Sequence, residues 1–376
     1  MKWFVDQMLP WFSSHGRDLL WRHDVTPYRV WVSEVMLQQT QVATVTPFFE
    51  RWMTRFPTLE SLANAEESEV LAYWEGLGYY RRARYLHQGA KYILTHHDGV
   101  FPKTVAELRA IPGIGAYTAG AIASIAFGQN VPAIDGNVER VLGRYFAIRG
   151  DLKKGEPRQT LEKHAQSIAS LGHASQINQA MMDLGASLCG KIACCDTCPL
   201  AKRCQACIQH LTDAIPQKSS ALEKSKISRA ALVLVDASNH LLLARRRAEQ
   251  LLGGLWTFPM IDVATTDLTT AQTQLLIRTP RVAQWNAWLH DHGIEIPLAS
   301  AHPTGTWIHH VFTHIDMHVT LDVAKSSEVL HPPQLLPDSE YDAFDSVTLT
   351  SSGLDMTNHP SSTLMKKLLR AYFHNE

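Results

Sequence analysis

All six cysteines of this 376-residue chain fall between Cys189 and Cys207, and no other feature limits the fold as sharply. In "CGKIACCDTCPLAKRC" the spacing is Cys189-x5-Cys195-x2-Cys198-x5-Cys204, with Cys194 and Cys207 in addition. A disulfide framework would spread its cysteines along a short secreted chain, which this is not. Four thiolates in one short loop suit tetrahedral zinc or a [4Fe–4S] cubane. Zinc ribbons pair two C-x2-C knuckles across a longer insert. A single C-x2-C between two wider spacings favours the cubane without settling the metal.

The chain is long for one core, so two domains are expected. The N-terminal "MKWFVDQMLPWFSSHGRD" is broken by Asp6, Gln7 and Pro10, so it reads as neither signal peptide nor membrane span. The expected location is the cytoplasm, at the nucleoid if the partner is DNA. Residues 1–211 read as mostly helical. Thr26-Pro27 and Thr46-Pro47 each look like a helix start, with threonine as cap and proline at the first helical position. "TLESLANAEESEVLAYWEGLGYY" reads as a helix pair closing at Gly76 and Gly78. Residues 212–228 are polar, rich in lysine and serine, and read as a linker. Residues 229–376 read as a mixed α and β domain. A hairpin is expected at Asp236-Ala237-Ser238-Asn239, and "TLMKKLLRAYF" as an amphipathic helix. "HHVFTHIDMHVTLDV" reads as an alternating strand, placing His310, Phe312, His314, Asp316 and His318 on one face and Val311, Thr313, Ile315, Met317 and Val319 on the other.

A formal net charge of −1 gives no global case for nucleic acid, so any basic surface must be local. "GLGYYRRARYLH" is one candidate, with Arg81, Arg82 and Arg84 among tyrosines; a solvated helix face is the plainer reading. "IPGIGAYTAGAI" offers another route. A Pro-Gly-Ile-Gly turn entering a helix exposes unpaired backbone N–H groups, and glycines let another backbone approach them. Such a hairpin can cradle a phosphate without net positive charge, although a tight helix–helix turn explains it as well.

Two carboxylates stand out. Asp135, in "VPAIDGNVERVLGR", precedes a helix, where it is either a plain N-cap or a carboxylate whose anion the helix dipole favours. Glu34, in "VWVSEVMLQQ", has helical neighbours Val30, Trp31, Leu37 and Gln38 and no basic partner. If buried it would have a raised pKa, as a general acid near neutrality requires.

Together, the helix-hairpin-helix, the Gly/Pro-rich approach to an aspartate and the four-cysteine loop resemble the endonuclease III superfamily of DNA glycosylases. "WVSEVMLQQTQVATV", "GLGYYRRARYLH", "PGIGAYTAGAI", "DGNVERVL" and "NQAMMDLGASLC" resemble its adenine-specific branch, the MutY family. The resemblance covers nearly the whole chain. It implies an all-α helix-hairpin-helix glycosylase domain with a four-cysteine iron–sulfur loop, followed by an α+β Nudix-like domain. It also implies a monomeric base-excision enzyme that removes adenine opposite 8-oxoguanine, or guanine, in double-stranded DNA.

The residue roles carried by the resemblance are these. Glu34 matches the general acid that protonates nitrogen 7 of adenine, and Asp135 the carboxylate that stabilises the deoxyribosyl cation. This is two-carboxylate glycoside cleavage applied to an N-glycosidic bond, on a base first taken out of the stack. Tyr117, Asn137 and Arg22 match pocket residues supporting the acid, the cation and the base. Gln39 and Tyr79 match residues that wedge into the duplex, and Gly113 and Gly115 belong to the DNA-binding hairpin. Tyr117 stands where the endonuclease III branch has a Schiff-base lysine, so excision without an efficient lyase step is implied. Lys103, expected in the preceding helix, could replace that amine only opportunistically. The cluster ligands implied are Cys189, Cys195, Cys198 and Cys204. The family has one more residue before the second ligand; Cys195 is preferred to Cys194 because it preserves Cys195-x2-Cys198-Pro199, and Cys207 is expected to be a bystander.

"HVFTH" resembles the loop that reads 8-oxoguanine, with Thr313 in place of the usual serine between Phe312 and His314. A zinc site from His310, His314 and His318 is disfavoured for want of a fourth ligand. No glutamate-rich Nudix box follows "GGLWTFPM", so diphosphate hydrolysis is not expected. Two rival readings exist: a bifunctional pyrimidine glycosylase and lyase, and a non-catalytic Fe–S DNA-binding or redox-sensing protein.

Overall fold

A computed structural model describes residues 1–217, 223–264, 278–330, 341–350, 353–354, 356 and 359–374. The chain forms two compact units, one of residues 1–65 and 84–220, the other of residues 66–83 and 221–376.

The first unit is helical. Its Lys2–His15 helix contributes Phe4, Val5 and Met8 to a core shared with Val138, Val141 and Leu142 of the Gly136–Tyr145 helix and Ile177, Met181 and Leu184 of the Ala174–Ser187 helix. Thr26 caps the Pro27–Leu37 helix through the Arg29 amide, as its sequence predicts. Thr46-Pro47 does not start a helix but lies inside Val42–Arg55. Val45, Phe49 and Trp52 are buried along one face of that helix, and this apolar stripe carries it through the proline. The expected helix pair forms as Leu59–Ala63 and Glu67–Trp74, the latter in the second unit, followed by Gly76 and Gly78 in left-handed conformation.

The hairpin joins Val105–Ala110 to Ala116–Ala121. A reciprocal box between Thr104 and Glu107 caps the first helix. Lys103 precedes this helix rather than lying in it. Gly113 is needed on two counts: its φ is +82°, and a Cβ there would stand 2.5 Å from that of Tyr85. Gly115 is different, since a Cβ there would meet nothing within 4 Å. A Cβ on Gly120 would lie 2.2 Å from the Pro132 carbonyl oxygen, so this glycine lets the segment leading to Asp135 cross close to the helix. The helix then widens into a π turn over Ile122–Ala126.

The second unit is built on a sheet of β1 (Ser225–Val235), β2 (His240–Arg246), β3 (Trp256–Thr257), β4 (Met260–Ala264), β5 (His302–Val311), β6 (Ile315–Lys325), β7 (Tyr341–Thr350) and β8 (Gly353–Leu354). The strand order is β5-β6-β1-β2-β7-β8, with β3 on β2 and β4 on β1. The β1–β6 pair is parallel and its neighbours are antiparallel, so the sheet is mixed. Along β1 the two-residue period sends Ala231, Val233 and Val235 to one core and Ala230, Leu232 and Leu234 to another. The Thr363–Phe373 helix seals the first through Leu364, Met365, Leu368 and Tyr372, and the Val282–Asp291 helix the second through Trp285 and Leu289. The expected β1–β2 turn is held by Asp236, whose carboxylate accepts from the Ser238 and His240 amides at 2.8 Å. β1 begins at Ser225, inside the stretch expected as linker.

One strand expectation is corrected. "HHVFTHIDMHVTLDV" is not one strand but the end of β5, a turn at Phe312–His314 and β6, closed by the Phe312 amide on the Ile315 carbonyl at 2.8 Å. The antiparallel register pairs His309 with His318 and His310 with Met317. The faces therefore swap across the turn, and His310 does not share a face with His318.

Candidate active site

The Pro27–Leu37 helix is buried on nearly every side, so Glu34 has no route to bulk water along its own helix. Its carboxylate accepts a hydrogen bond from the Tyr117 phenol. Burial pushes the Glu34 pKa up to about 7, the Tyr117 bond and the charge of Arg22 oppose the rise, and the charge of Asp135 adds to it. Burial also lifts the Tyr117 phenol well above its ordinary value, with Glu34 and Asp135 reinforcing the shift.

Asp135 is the N-cap of the Gly136–Tyr145 helix. Its Oδ1 accepts from the amides of Asn137 at 3.0 Å and Val138 at 2.7 Å, and Oδ2 from the Asn137 side-chain amide at 2.8 Å. The N-cap is thus realised at a residue that also faces the cavity. Burial raises its pKa, whereas the cap alone would depress it; the three donors and Arg140 restrain the rise. Asn178 fixes the approach to Asp135. It accepts from the Ala133 amide at 3.2 Å and donates to the Val131 carbonyl at 3.0 Å and the Ser124 hydroxyl at 2.9 Å.

Glu34, Asp135, Tyr117, Asn137, Arg22 and Gln39 all line one cavity of about 940 Å³. Gln39 has a φ of +58°, a left-handed conformation unusual for a side chain of its size. Lys103 is not among the lining residues. Sequence reasoning missed Asp183, which is 1% exposed and receives Arg22 through two bonds of 2.8 and 3.0 Å. Arg17 binds the same carboxylate through its amide at 2.9 Å and its Nε at 2.8 Å. Burial works against the Asp183 charge, but the two arginines outweigh it and hold the carboxyl below its usual range. The available signal was an acid in the otherwise apolar "AMMDLGA".

The cysteine loop is tied to the same helix that Asp135 caps. Arg140 donates to the carbonyls of Cys189 at 2.6 Å and Gly185 at 2.7 Å, and to Asn137 at 2.8 Å. Arg144 donates to the Gly190 carbonyl at 2.7 Å and contacts the Cys189 sulfur at 3.4 Å. The thiols of Cys189, Cys195, Cys198, Cys204 and Cys207 converge; Cys194 is exposed. Burial pushes the Cys198 thiol up to about 11, partly offset by the Leu200 amide, with neighbouring thiolates adding to the rise. Half-buried thiols that repel one another and receive amide donors are a donor set that a cation completes. Among the described residues, no three cysteine sulfurs lie within 4.8 Å of one another, whereas tetrahedral zinc–thiolate bonds would bring them to roughly 3.8 Å.

In the second unit, Tyr79 is 47% exposed with a φ of +50°. Its phenol hydrogen-bonds the Thr313 hydroxyl at 2.6 Å, which joins it to the Phe312–His314 turn. The basic patch is smaller than its sequence suggests. Arg81 is exposed, but Arg82 and Arg84 are buried, and Arg82 stacks over Trp74 and Tyr79. Among the described residues, no helix is long and apolar enough to cross a membrane.

Residues 32–167 match the family model of the HhH-GPD superfamily base excision DNA repair proteins, and residues 230–371 match that of the NUDIX domain. The chain is 36% identical over 259 residues to the adenine DNA glycosylase of Buchnera aphidicola subsp. Acyrthosiphon pisum, covering 68% of this chain and 73% of that one. It is 32% identical to the adenine DNA glycosylase of Rattus norvegicus, covering 98% of this chain and 78% of that one. The structure of a thermostable thymine-DNA glycosylase superposes with a TM-score of 0.51 at 26% identity, covering 55% of this chain and 96% of that one. The helix-hairpin-helix unit, the mixed-sheet Nudix-like unit and these relatives lead to one conclusion: the chain belongs to the adenine DNA glycosylase family and is a base-excision DNA glycosylase.

Proposed function

We propose that the enzyme removes adenine opposite 8-oxoguanine, or guanine, by hydrolysis and without an efficient lyase step. The observation that carries this reading is the placement of Glu34, Tyr117 and Asp135 around one cavity, with a Glu34 pKa of about 7. A carboxyl half-protonated near neutrality can donate to nitrogen 7 of an adenine turned into the cavity. The protonated base then leaves with the N-glycosidic electron pair. Asp135 faces the resulting sugar cation, and water completes the exchange. Asn137 and Arg22 hold the cation-facing and base-facing sides, Arg22 through Asp183. Tyr117 orients the Glu34 carboxyl by donating to Oε2 and, as a phenol, cannot form an imine with the sugar.

A [4Fe–4S] cluster on Cys189, Cys195, Cys198 and Cys204 is the proposed cofactor. It would hold the loop from which Cys189 and Gly190 carbonyls grip Arg140 and Arg144. The hairpin at Gly113 and Gly115 is assigned to backbone phosphates. Gln39 and Tyr79 are assigned as wedges, and Phe312, Thr313 and His314 as readers of the oxidised base. Left-handed backbone at both wedge residues supports this, because strain of that kind gathers at functional sites.

The test is single-turnover cleavage of a duplex with one adenine opposite 8-oxoguanine, labelled on the adenine strand and split with and without hot alkali. Scission only after alkali is expected. Scission without alkali would reveal a nucleophilic amine. No scission by folded, iron-loaded protein would sink the reading in favour of a binding or sensing protein.

A further inference from the structure

We infer that His309, Asp316 and His318 form a site for a late first-row divalent metal ion, of which zinc is the representative, on the hairpin of β5 and β6. One ligand atom from each lies within 4.8 Å of the others, the only such trio of His, Cys, Asp or Glu among the described residues. The register explains why they meet. His309 and His318 are direct cross-strand partners, and Asp316, two residues before His318, projects from the same face.

The side chains are already oriented. The His309 and His318 rings stack at 4.6 Å and 16°, and Trp307 stacks on His318 at 5.3 Å and 17°. His309 Nε2 and Asp316 Oδ1 share a hydrogen bond of 2.5 Å, which a metal would replace by bridging the same two atoms. The side chains of His309 and Asp316 are 52% and 26% exposed, so an ion can enter and keep a water. Two imidazoles and a carboxylate with an open position suit zinc or its neighbours rather than calcium or magnesium, which take oxygen ligands. Lys226, opposite Asp316 on β1, presents a positive charge to Asp316 and His318 and weakens cation binding. The ion would clamp the two strands just below the Phe312–His314 turn. The register that brings His309 to His318 also excludes His310, which pairs with Met317.

The test is equilibrium dialysis of the full, iron-loaded chain against zinc, with zinc and iron measured on the same sample. Wild type should hold one zinc per chain that His309→Gln and His318→Gln weaken by at least roughly tenfold, with iron content unchanged. Asp316→Asn should also weaken it, whereas Asp316→His, which keeps a ligand, should retain it. Lys226→Met should tighten it. Equal zinc in wild type and His309→Gln at equal iron would overturn the inference. So would equal loss in Asp316→His and Asp316→Asn, because that would report disturbed folding and not ligation.

Discussion

Replacing Glu34 with glutamine should stabilise the helical unit while abolishing excision, and the gain should depend on pH. The Glu34 pKa stands at about 7 in the folded protein against 4.5 as its ordinary value, so between those values the folded state holds the proton more tightly. The protonated carboxyl's contribution is present in full below the lower value and is lost as pH rises through the upper one. A shift of this size corresponds to about 3 kcal/mol of destabilisation above neutrality. Glutamine keeps an acceptor for the Tyr117 phenol and carries no charge to bury. The advantage of Glu34→Gln over wild type should therefore grow by roughly 2 kcal/mol between about pH 5.5 and 8.5, near a thirtyfold change in local opening. Hydrogen–deuterium exchange of peptides from the Pro27–Leu37 helix, compared at matched pH, reads that difference directly. Single-turnover excision by the same variant should fall by roughly a hundred- to ten-thousandfold, the usual contribution of a general acid. A stability difference that stays flat across pH would refute the reasoning, since Glu34 would then titrate as a hydrated carboxylate does.

Excision by wild type should follow a bell in pH, falling above about 7 as Glu34 loses its proton and falling in acid as Asp135 gains one; single-turnover rates across pH check this, and a rate still rising above pH 8 would exclude Glu34 as the acid. Asn178→Ala should cost about 2–3 kcal/mol, because it strips partners from the Ala133 amide and Val131 carbonyl. It should slow excision through displacement of Asp135, as denaturation and single-turnover assays would show. Cys195→Ser should lower bound iron, whereas Cys194→Ser and Cys207→Ser should keep it; iron analysis and absorbance near about 400 nm distinguish the three.

The two carboxylates of the candidate site were legible because each rests on local rules. Asp135 follows an apolar run and begins a helix, and Glu34 sits among helical neighbours that offer no cation. Asp183 was not legible, because its partners Arg22 and Arg17 lie 161 and 166 residues away in sequence, and only the packed fold brings them together. Thr46-Pro47 carries a genuine start signal, but burial of Val45, Phe49 and Trp52 overrides a local cap. The β5–β6 turn was hidden for a different reason. Alternation on either side masks a short slip, two apolar residues (Val311, Phe312) followed by two polar ones (Thr313, His314), and there the chain reverses and the faces exchange. Arg82 and Arg84 show the same limit for charge, since counting arginines says nothing of which are buried.

The proposed mechanism requires that one cavity hold one carboxyl protonated and another ionised. Burial raises both pKa values, so enclosure alone cannot assign the roles. Hydrogen bonding separates them. Glu34 receives one side-chain donor, the Tyr117 phenol, on a helix buried over most of its length. Asp135 receives two backbone amides and a side-chain amide at a helix N-terminus, where the dipole also favours an anion. Arg140 adds a positive charge there, and its guanidinium is held by the carbonyls of Gly185 and Cys189. The cysteine loop is therefore expected to bear on catalysis through Arg140, since a loop that loosens releases Arg140 and lets the Asp135 pKa climb. Iron loss should accordingly shift the acid limb of the pH profile toward neutrality before it abolishes activity. A limb that stays fixed while iron is lost and the rate falls would mean that the loop serves DNA binding alone.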